Sequence, residues 1–204
     1  MSKQIRGIIL EGQSCSGKTS IFNAIKKIHQ MNPDSERNVI YLSENYSQNL
    51  NLINGKYENL SREDNMKILS ERITMLEQLN NYANSMGNHS RRARGLFYVF
   101  ERFHLNFALC FQNSLDKEYR DIEQRLYNLN AHTILCTVSN DKIFERMHHR
   151  DNTVQFSEKT INDYIANQNI LINTANSSLL ETNVINTDSL DWNSYAKVAL
   201  SKVK

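Results

Sequence analysis

The sequence predicts an α/β fold in which a parallel sheet is covered by helices on both faces. Three observations predict it. Short apolar runs of strand type alternate with segments whose apolar residues recur at helical spacing. The run at residues 95–100 is apolar almost throughout, as a strand buried on both faces would be. The run at residues 5–10 leads straight into Gly12-Gln13-Ser14-Cys15-Ser16-Gly17-Lys18-Thr19, which fits the phosphate-binding pattern G-x-x-x-x-G-K-[ST] at every fixed position.

Each element follows in order. Residues 5–10 are the first strand. After the glycine loop, Ile21, Ala24, Ile25 and Ile28 form one face of a helix over residues 20–28. Gly12 and Gly17 permit backbone angles that a side chain would block, so the loop can wrap a phosphate with its N–H groups turned inward. The positive end of the helix dipole adds to that field. Residues 38–43 form a second strand, ending on Glu44. Residues 47–60 are polar and read as irregular, with a turn at Asn54-Gly55. Ser61-Arg62-Glu63-Asp64 is a capping signal for a long helix with the stripe Met66, Leu69, Ile73, Leu76 and Leu79, fading near Gly87. The link at 88–94 carries Arg91, Arg92 and Arg94, which precede a strand at its amino end and read as a solvated loop.

The third strand, 95–100, ends on Glu101-Arg102-Phe103-His104. Helical spacing resumes through Leu105, Leu109 and Phe111, and again over 116–129. Residues 132–138 form a fourth strand. Asn140 or Asp141 is placed to cap the next helix, which carries Arg146, His148, His149 and Arg150. A polar loop at 151–156 leads to a helix opening at Ser157 and running to about residue 177. Residues 182–186 form a fifth, short strand, and 188–191 lead into a terminal helix.

Composition sets bounds on this reading. A chain of 204 residues suits one domain, 1–204, and 40% apolar residues suffice for a sizeable core. The formal net charge of +2 gives no strong global field, so neither nucleic acid nor membrane is an expected partner. Three widely spaced cysteines make neither a metal pattern nor a disulfide framework and suit reduced thiols in a cytoplasmic protein. No signal peptide and no bilayer-length apolar run is visible. A homodimer is compatible with the sequence, which does not fix the oligomeric state.

Ligands of parallel sheets bind beyond the carboxyl ends of the strands. Gly12, Glu44, Glu101 and Arg102 all fall at such ends and are expected to meet in one cleft. In the loop, Lys18 supplies a mobile positive charge for terminal phosphates and Thr19 a hydroxyl for Mg²⁺.

On these motifs the chain resembles the thymidylate kinase and deoxynucleoside kinase branch of the P-loop kinases, over nearly its whole length as an order of elements. Glu44 resembles the glutamate after the second strand of that branch, with Asn45 where the branch has proline. Glu101-Arg102-Phe103 is similar to its Asp-Arg-Tyr and Glu-Arg-Ser motifs. Phe144-Glu145-Arg146-Met147-His148-His149-Arg150 resembles its arginine-bearing lid entry, and Thr187-Asp188 the segment near the adenine. The resemblance implies a P-loop NTPase fold of adenylate-kinase-like type, a three-layer sandwich around a five-stranded parallel sheet, with a lid-like segment around 146–157. It implies ATP and Mg²⁺ as cofactors and transfer of the γ-phosphate to a small-molecule acceptor, a nucleoside or nucleoside monophosphate. Gly12, Ser14, Cys15, Ser16, Gly17, Lys18, Thr19 and Ser20 then hold the nucleotide, Thr19 and Glu101 the metal, and Lys18, Glu44, Arg102, Arg146 and Arg150 serve the transfer.

Several of these residues have a second reading. Glu101 also fits an acid at a helix N-terminus. Arg102 fits a bidentate phosphate contact or an ion pair with Glu101 or Glu44. Arg146 and Arg150, four apart on one helical face, fit a closing lid or a solvated basic face. His148 and His149 suit a helix end, where they favour the dipole. For Cys15 the backbone N–H is the expected contribution. Tyr46, Tyr57 and Phe103 fit an acceptor pocket or core packing. Two other functions share the motifs. One is a P-loop phosphotransferase acting on another small hydroxyl compound, an antibiotic or metabolite. The other is a nucleotide-binding regulatory NTPase, against which stands the lack of an Asn-Lys-x-Asp guanine-selecting motif.

Overall fold

The computed structural model describes residues 5–44, 50–53, 56–87, 95–111, 116–153 and 156–203. The elements run β1 (Ile5–Gly12), α1 (Lys18–Met31), β2 (Asn38–Leu42), β3 (Leu50–Ile53), β4 (Lys56–Asn59), α2 (Arg62–Gly87) and β5 (Leu96–Glu101). There follow α3 (His104–Cys110), α4 (Lys117–Asn128), β6 (Ala131–Thr137), α5 (Ile143–Arg150), α6 (Glu158–Asn176), β7 (Thr182–Asn186) and α7 (Trp192–Lys202).

Five strands form one all-parallel sheet in the order β2-β5-β1-β6-β7. β1 is central, and the chain moves to one side of it for β2 and β5 and to the other for β6 and β7. The crevice at this reversal opens at the carboxyl end of β1, where the glycine loop begins.

Side chains alternate across the sheet with the two-residue period of a strand. On one face Ile9, Tyr98 and Phe100 pack with Ile73 and Leu76 of α2, Phe107 of α3 and Tyr119 and Leu126 of α4. On the other, Ile8, Leu10, Phe97 and Val99 pack with Ile21 and Ile25 of α1 and Ala196 and Ala199 of α7. Three layers result, as expected. Each fully buried Ile, Leu or Phe here contributes about 1.5–3 kcal/mol over leaving it exposed. The α2 stripe is shorter than the sequence suggests: Leu69, Ile73 and Leu76 are buried, whereas Leu79 is 38% exposed.

Local signals explain four of the helix starts. Ser61 and Asp64 bond reciprocally at the start of α2. Asp116, Ser157 and Asp191 cap α4, α6 and α7 by accepting from Tyr119, Thr160 and Ser194 N–H groups.

Two expectations need correction. Residues 50–59 are not irregular: β3 and β4 form an antiparallel hairpin, separate from the main sheet. Asn140 and Asp141 do not cap α5. They lie in a turn of 3-10 helix, Asn140–Lys142, whose approach is held by the Ser139 N–H donating to Asp188 at 3.1 Å. The link 88–94, with Arg91, Arg92 and Arg94, lies outside the described residues. Among the described residues, no helix is long and apolar enough to cross a membrane.

At the opposite end of the sheet, Glu36 joins three elements. It accepts from Arg6 of β1 at 2.6 Å and from the His29 ring of α1 at 3.1 Å, and His29 stacks on Phe97 of β5 at 4.3 Å. Burial opposes its ionisation, but the hydrogen bonds from His29 and Arg6 outweigh this and hold its pKa down to about 2. The folded-state pKa is thus below the unfolded one. The stabilisation is complete above the ordinary glutamate range and is lost as pH falls from about 4.5 toward 2. Allowing for partial solvent screening, we expect acidification to cost the protein about 1–2 kcal/mol at this residue. Urea midpoints at pH 7 and pH 3 test this: Glu36→Gln should narrow the difference seen in the unmodified protein, and an unchanged difference would remove the claim.

Candidate active site

The phosphate loop leaves β1 at Gly12 and enters α1 at Lys18. Its two fixed glycines are required by close approach as well as by backbone angle. Gly12 has φ 139°, and a Cβ there would run into the Cys136 carbonyl oxygen of β6. Gly17 has φ 85°, and a Cβ there would fall 2.5 Å from the Trp192 ring of α7. Cys15 also takes a left-handed conformation, φ 65°, a strain of about 1–3 kcal/mol borne by the surrounding loop.

The interior of the loop suits an anion. It sits at the N-terminus of the 14-residue α1. The Ser16 hydroxyl is buried and, among the described residues, has no hydrogen-bond partner. Lys18 is almost wholly buried and donates back to the Gln13 carbonyl at 2.7 Å. Burial, and then the Arg102 guanidinium, pull its pKa down to about 8, an effect only partly offset by Glu44 and Glu101. A phosphate bound in the loop would add further negative charge beside this ammonium.

β5 ends beside the loop, with Glu101 in register with Leu10 of β1. Glu101 is fully buried and accepts from the Thr19 hydroxyl at 2.5 Å and from the Glu44 N–H at 3.4 Å. The next residue, Arg102, is left-handed at φ 60°, and its N–H donates to the Leu10 carbonyl at 2.8 Å. This bend turns the guanidinium back over the loop. Its Nη2 donates to Ser14 Oγ at 3.0 Å, and its Nε lies 3.2 Å from Glu44 Oε1. Of the two readings for Arg102, the ion pair with Glu44 is present in this state. Of the four strand-end residues, Glu44, Glu101 and Arg102 contact one another, and Arg102 reaches the loop that Gly12 opens, although β2, β5 and β1 are far apart in sequence.

Above the loop lies a cleft of about 490 Å³. It is lined by Cys15, Gly17, Lys18, Thr19, Ser20 and Glu44 on one side and by Lys142, Glu145, Arg146, His149, Arg150, Asp188 and Leu190 on the other. Arg146 and Arg150 therefore share this wall, but in different states. Arg146 is fixed: it donates to the Thr187 carbonyl and hydroxyl and lies 5.6 Å over the Trp192 ring. Arg150 is exposed at the end of α5. Thr187 ties this wall to the loop, since its hydroxyl is shared between the carbonyls of Ser16 and Thr137 at 3.0 and 3.1 Å. Asp188 is held below the usual carboxylate range: its slight burial works the other way, and hydrogen bonds from Ser139 prevail.

Thr19 and Glu101 form an oxygen-only donor set, as Mg²⁺ requires. The Thr19 hydroxyl directs its proton at Glu101, which leaves its lone pairs for a cation. Among the described residues no group of three His, Cys, Asp or Glu side chains is placed to hold a metal. A cation at this spot would complete its shell with phosphate oxygens and water, as Mg²⁺ commonly does.

His148 stacks on Phe144 at 5.9 Å and does not line the cleft, whereas His149 does. Phe103 is a core residue, 3% exposed. Tyr46 and the Tyr57 side chain lie outside the described residues. Sequence reasoning missed Glu11, a fully buried carboxylate one residue before the loop. Burial raises its pKa, opposed by hydrogen bonds from Asn106, Leu105 and Phe103. Its neighbour His104 is pushed down to about 3 by burial and is neutral. A charged residue at the end of an apolar strand was the available signal.

The fold is one that P-loop kinases share. Among solved structures, the chain is similar to the YorR protein from Bacillus subtilis, solved in complex with phosphorylated GDP, at a TM-score of 0.59 and 14% identity over 96% of this chain and 94% of that one. It is similar to thymidylate kinase from Ehrlichia chaffeensis at a TM-score of 0.52 and 13% identity over 98% of both chains. It is equally similar to a gluconokinase from Sinorhizobium meliloti, at a TM-score of 0.52 and 15% identity over 98% of this chain and 94% of that one. No family model matches the chain, and no curated protein sequence matches it.

Proposed function

We propose that the protein is an ATP-dependent phosphotransferase of the thymidylate kinase and deoxynucleoside kinase type. It moves the γ-phosphate to a nucleoside or nucleoside monophosphate. One observation carries the reading: Lys18, Thr19 and Glu44 line one cleft, and Glu101 and Arg102, from a separate segment of the chain, are bonded to Thr19 and Glu44 beside it.

Phosphoryl transfer demands positioning and charge neutralisation more than covalent chemistry. The loop N–H groups and Ser16 hydroxyl bind the donor phosphates. Lys18 leaves the Gln13 carbonyl and turns to the terminal phosphates. Thr19 and Glu101 would hold Mg²⁺, which when bound neutralises phosphate charge. Arg102 leaves Glu44 to bridge phosphates, and Glu44, thus released, faces the acceptor. Arg146 stays in the wall beside the donor, while Arg150, the exposed member of the pair, closes over the transferred group.

A panel assay with ATP, Mg²⁺, nucleosides, nucleoside monophosphates and small alcohols tests this. Transfer confined to a sugar-like or antibiotic hydroxyl would favour the second acceptor class, which the gluconokinase likeness keeps in view. ATP turnover independent of every acceptor would favour a regulatory NTPase. Arg150→Ala is expected to lower kcat by more than it weakens ATP binding, because its contact strengthens in the transition state. Equal losses, or none, would return Arg150 to a solvated basic face.

A further inference from the structure

We infer that Glu11 is a positioning residue, whose buried carboxylate fixes the Arg102 turn and so aims the guanidinium over the phosphate loop. What Arg102 is aimed for rests on the phosphotransfer reading above; that Glu11 aims it does not.

Glu11 Oε1 accepts from the N–H groups of Phe103 at 3.0 Å and Leu105 at 2.9 Å. Its Oε2 accepts from the Asn106 side-chain amide. All three donors come from the segment directly after Arg102. That segment opens α3, whose N-cap residue Phe103 makes no side-chain cap. Groups at such an end need partners from elsewhere, and Glu11 provides them from 92 to 95 residues away.

The consequence for Arg102 follows from register. Its own N–H is bonded to the Leu10 carbonyl, and the N–H of the next residue to the Glu11 side chain. Two consecutive residues of β1 therefore hold the two N–H groups that flank the left-handed Arg102. A non-glycine residue keeps such a conformation only where its surroundings over-determine it. With the bend fixed, the guanidinium reaches Ser14 and Glu44. A buried carboxylate is costly, and Lys18 is the cation whose field lowers that cost. A neutral residue would suffice for packing alone.

The test uses the full chain. Glu11→Gln keeps the shape, removes the negative charge and, with the Asn106 amide oriented as it is, sets an amide NH₂ against the Asn106 NH₂. Adding Asn106→Asp restores a complete set: the introduced amide oxygen accepts from Phe103 and Leu105, and its NH₂ donates to the new carboxylate. Two readouts are taken. One is the Arg102 Nε–H resonance in ¹⁵N-arginine-labelled protein, assigned with Arg102→Lys. The other is ATP turnover with Mg²⁺ and a mixture of nucleosides and nucleoside monophosphates. We expect Glu11→Gln to shift or broaden the resonance and to lower kcat about tenfold or more, with KM for ATP within about twofold. The double variant should recover both. Should Glu11→Gln fail to fold, Asn106→Ala, which removes one contact of the three, is read the same way. An unmoved resonance and unaltered kcat in a folded variant, even one of lower urea midpoint, overturns the inference and leaves Glu11 a packing residue. If the unmodified protein shows no turnover, the phosphotransfer reading fails by itself, and the resonance alone decides for or against Glu11.

Discussion

Lys18→Ala is expected to lower phosphoryl transfer by about 10²–10³-fold or more while leaving the protein folded. The rate loss follows from the loss of the charge buried at the loop, in a site where water screens little. The stability expectation has a separate cause. Among the described residues Lys18 makes one hydrogen bond, to the Gln13 carbonyl, worth about 0.5–1.5 kcal/mol. Against this stands the desolvation that pulls its pKa down to about 8, a cost of holding the charged form buried that the variant escapes. The loss of the Lys18 field at the buried Glu11 carboxylate adds to the lost hydrogen bond, and the relieved desolvation opposes both, so the urea midpoint should fall modestly while the variant stays folded. A folded Lys18→Ala protein with near-normal turnover would remove ATP chemistry from the proposed function.

Glu44→Gln is expected to separate the two acceptor classes. A hydroxyl acceptor must lose its proton during transfer, and a carboxylate base typically contributes about 10²–10⁴-fold. A monophosphate has its second ionisation near pKa ~6 and needs charge neutralisation more than a base. For a hydroxyl acceptor, kcat should fall by at least about a hundredfold with ATP affinity nearly unchanged. For a nucleotide acceptor the loss should be small, and Arg102→Ala should instead be severe. The observed ion pair with Arg102 does not confuse the two. Its side chains are 25% and 20% exposed, and such a partly solvated pair is worth about 1 kcal/mol or little more. A hundredfold rate loss corresponds to about 2.7 kcal/mol, beyond what breaking the pair supplies. A stable Glu44→Gln enzyme with full activity on a hydroxyl acceptor would end the base assignment.

The parallel sheet was legible because its inner strands β1, β5 and β6 are largely buried on both faces and read as apolar runs, with β5 the clearest. The loop was legible because its chemistry requires glycines, lysine and threonine at fixed spacing. Glu101 and Arg102 could be placed near the loop from their position at a strand end alone. Other features depend on contacts that spacing does not encode. Glu11 stands out locally only as a charge at the end of an apolar strand, and its partners lie 92 to 95 residues away. The fixing of Arg146 depends on Thr187 and Trp192, which come from the far end of the chain. The hairpin β3–β4 has only four residues in each strand and shares no strand with the main sheet. Its apolar alternation is short and weak, although the Asn54-Gly55 dipeptide was a hairpin signal in its own right.

The Trp192 ring that closes off Gly17 is also the chain's single tryptophan. Its indole stands over the phosphate loop and beneath the Arg146 guanidinium, so its emission reports from the donor site with no other indole to obscure it. Titrating ATP and following the intensity and colour of that emission gives a label-free measure of loop occupancy. The same signal can be followed in a stopped-flow instrument, which gives the rate of donor arrival.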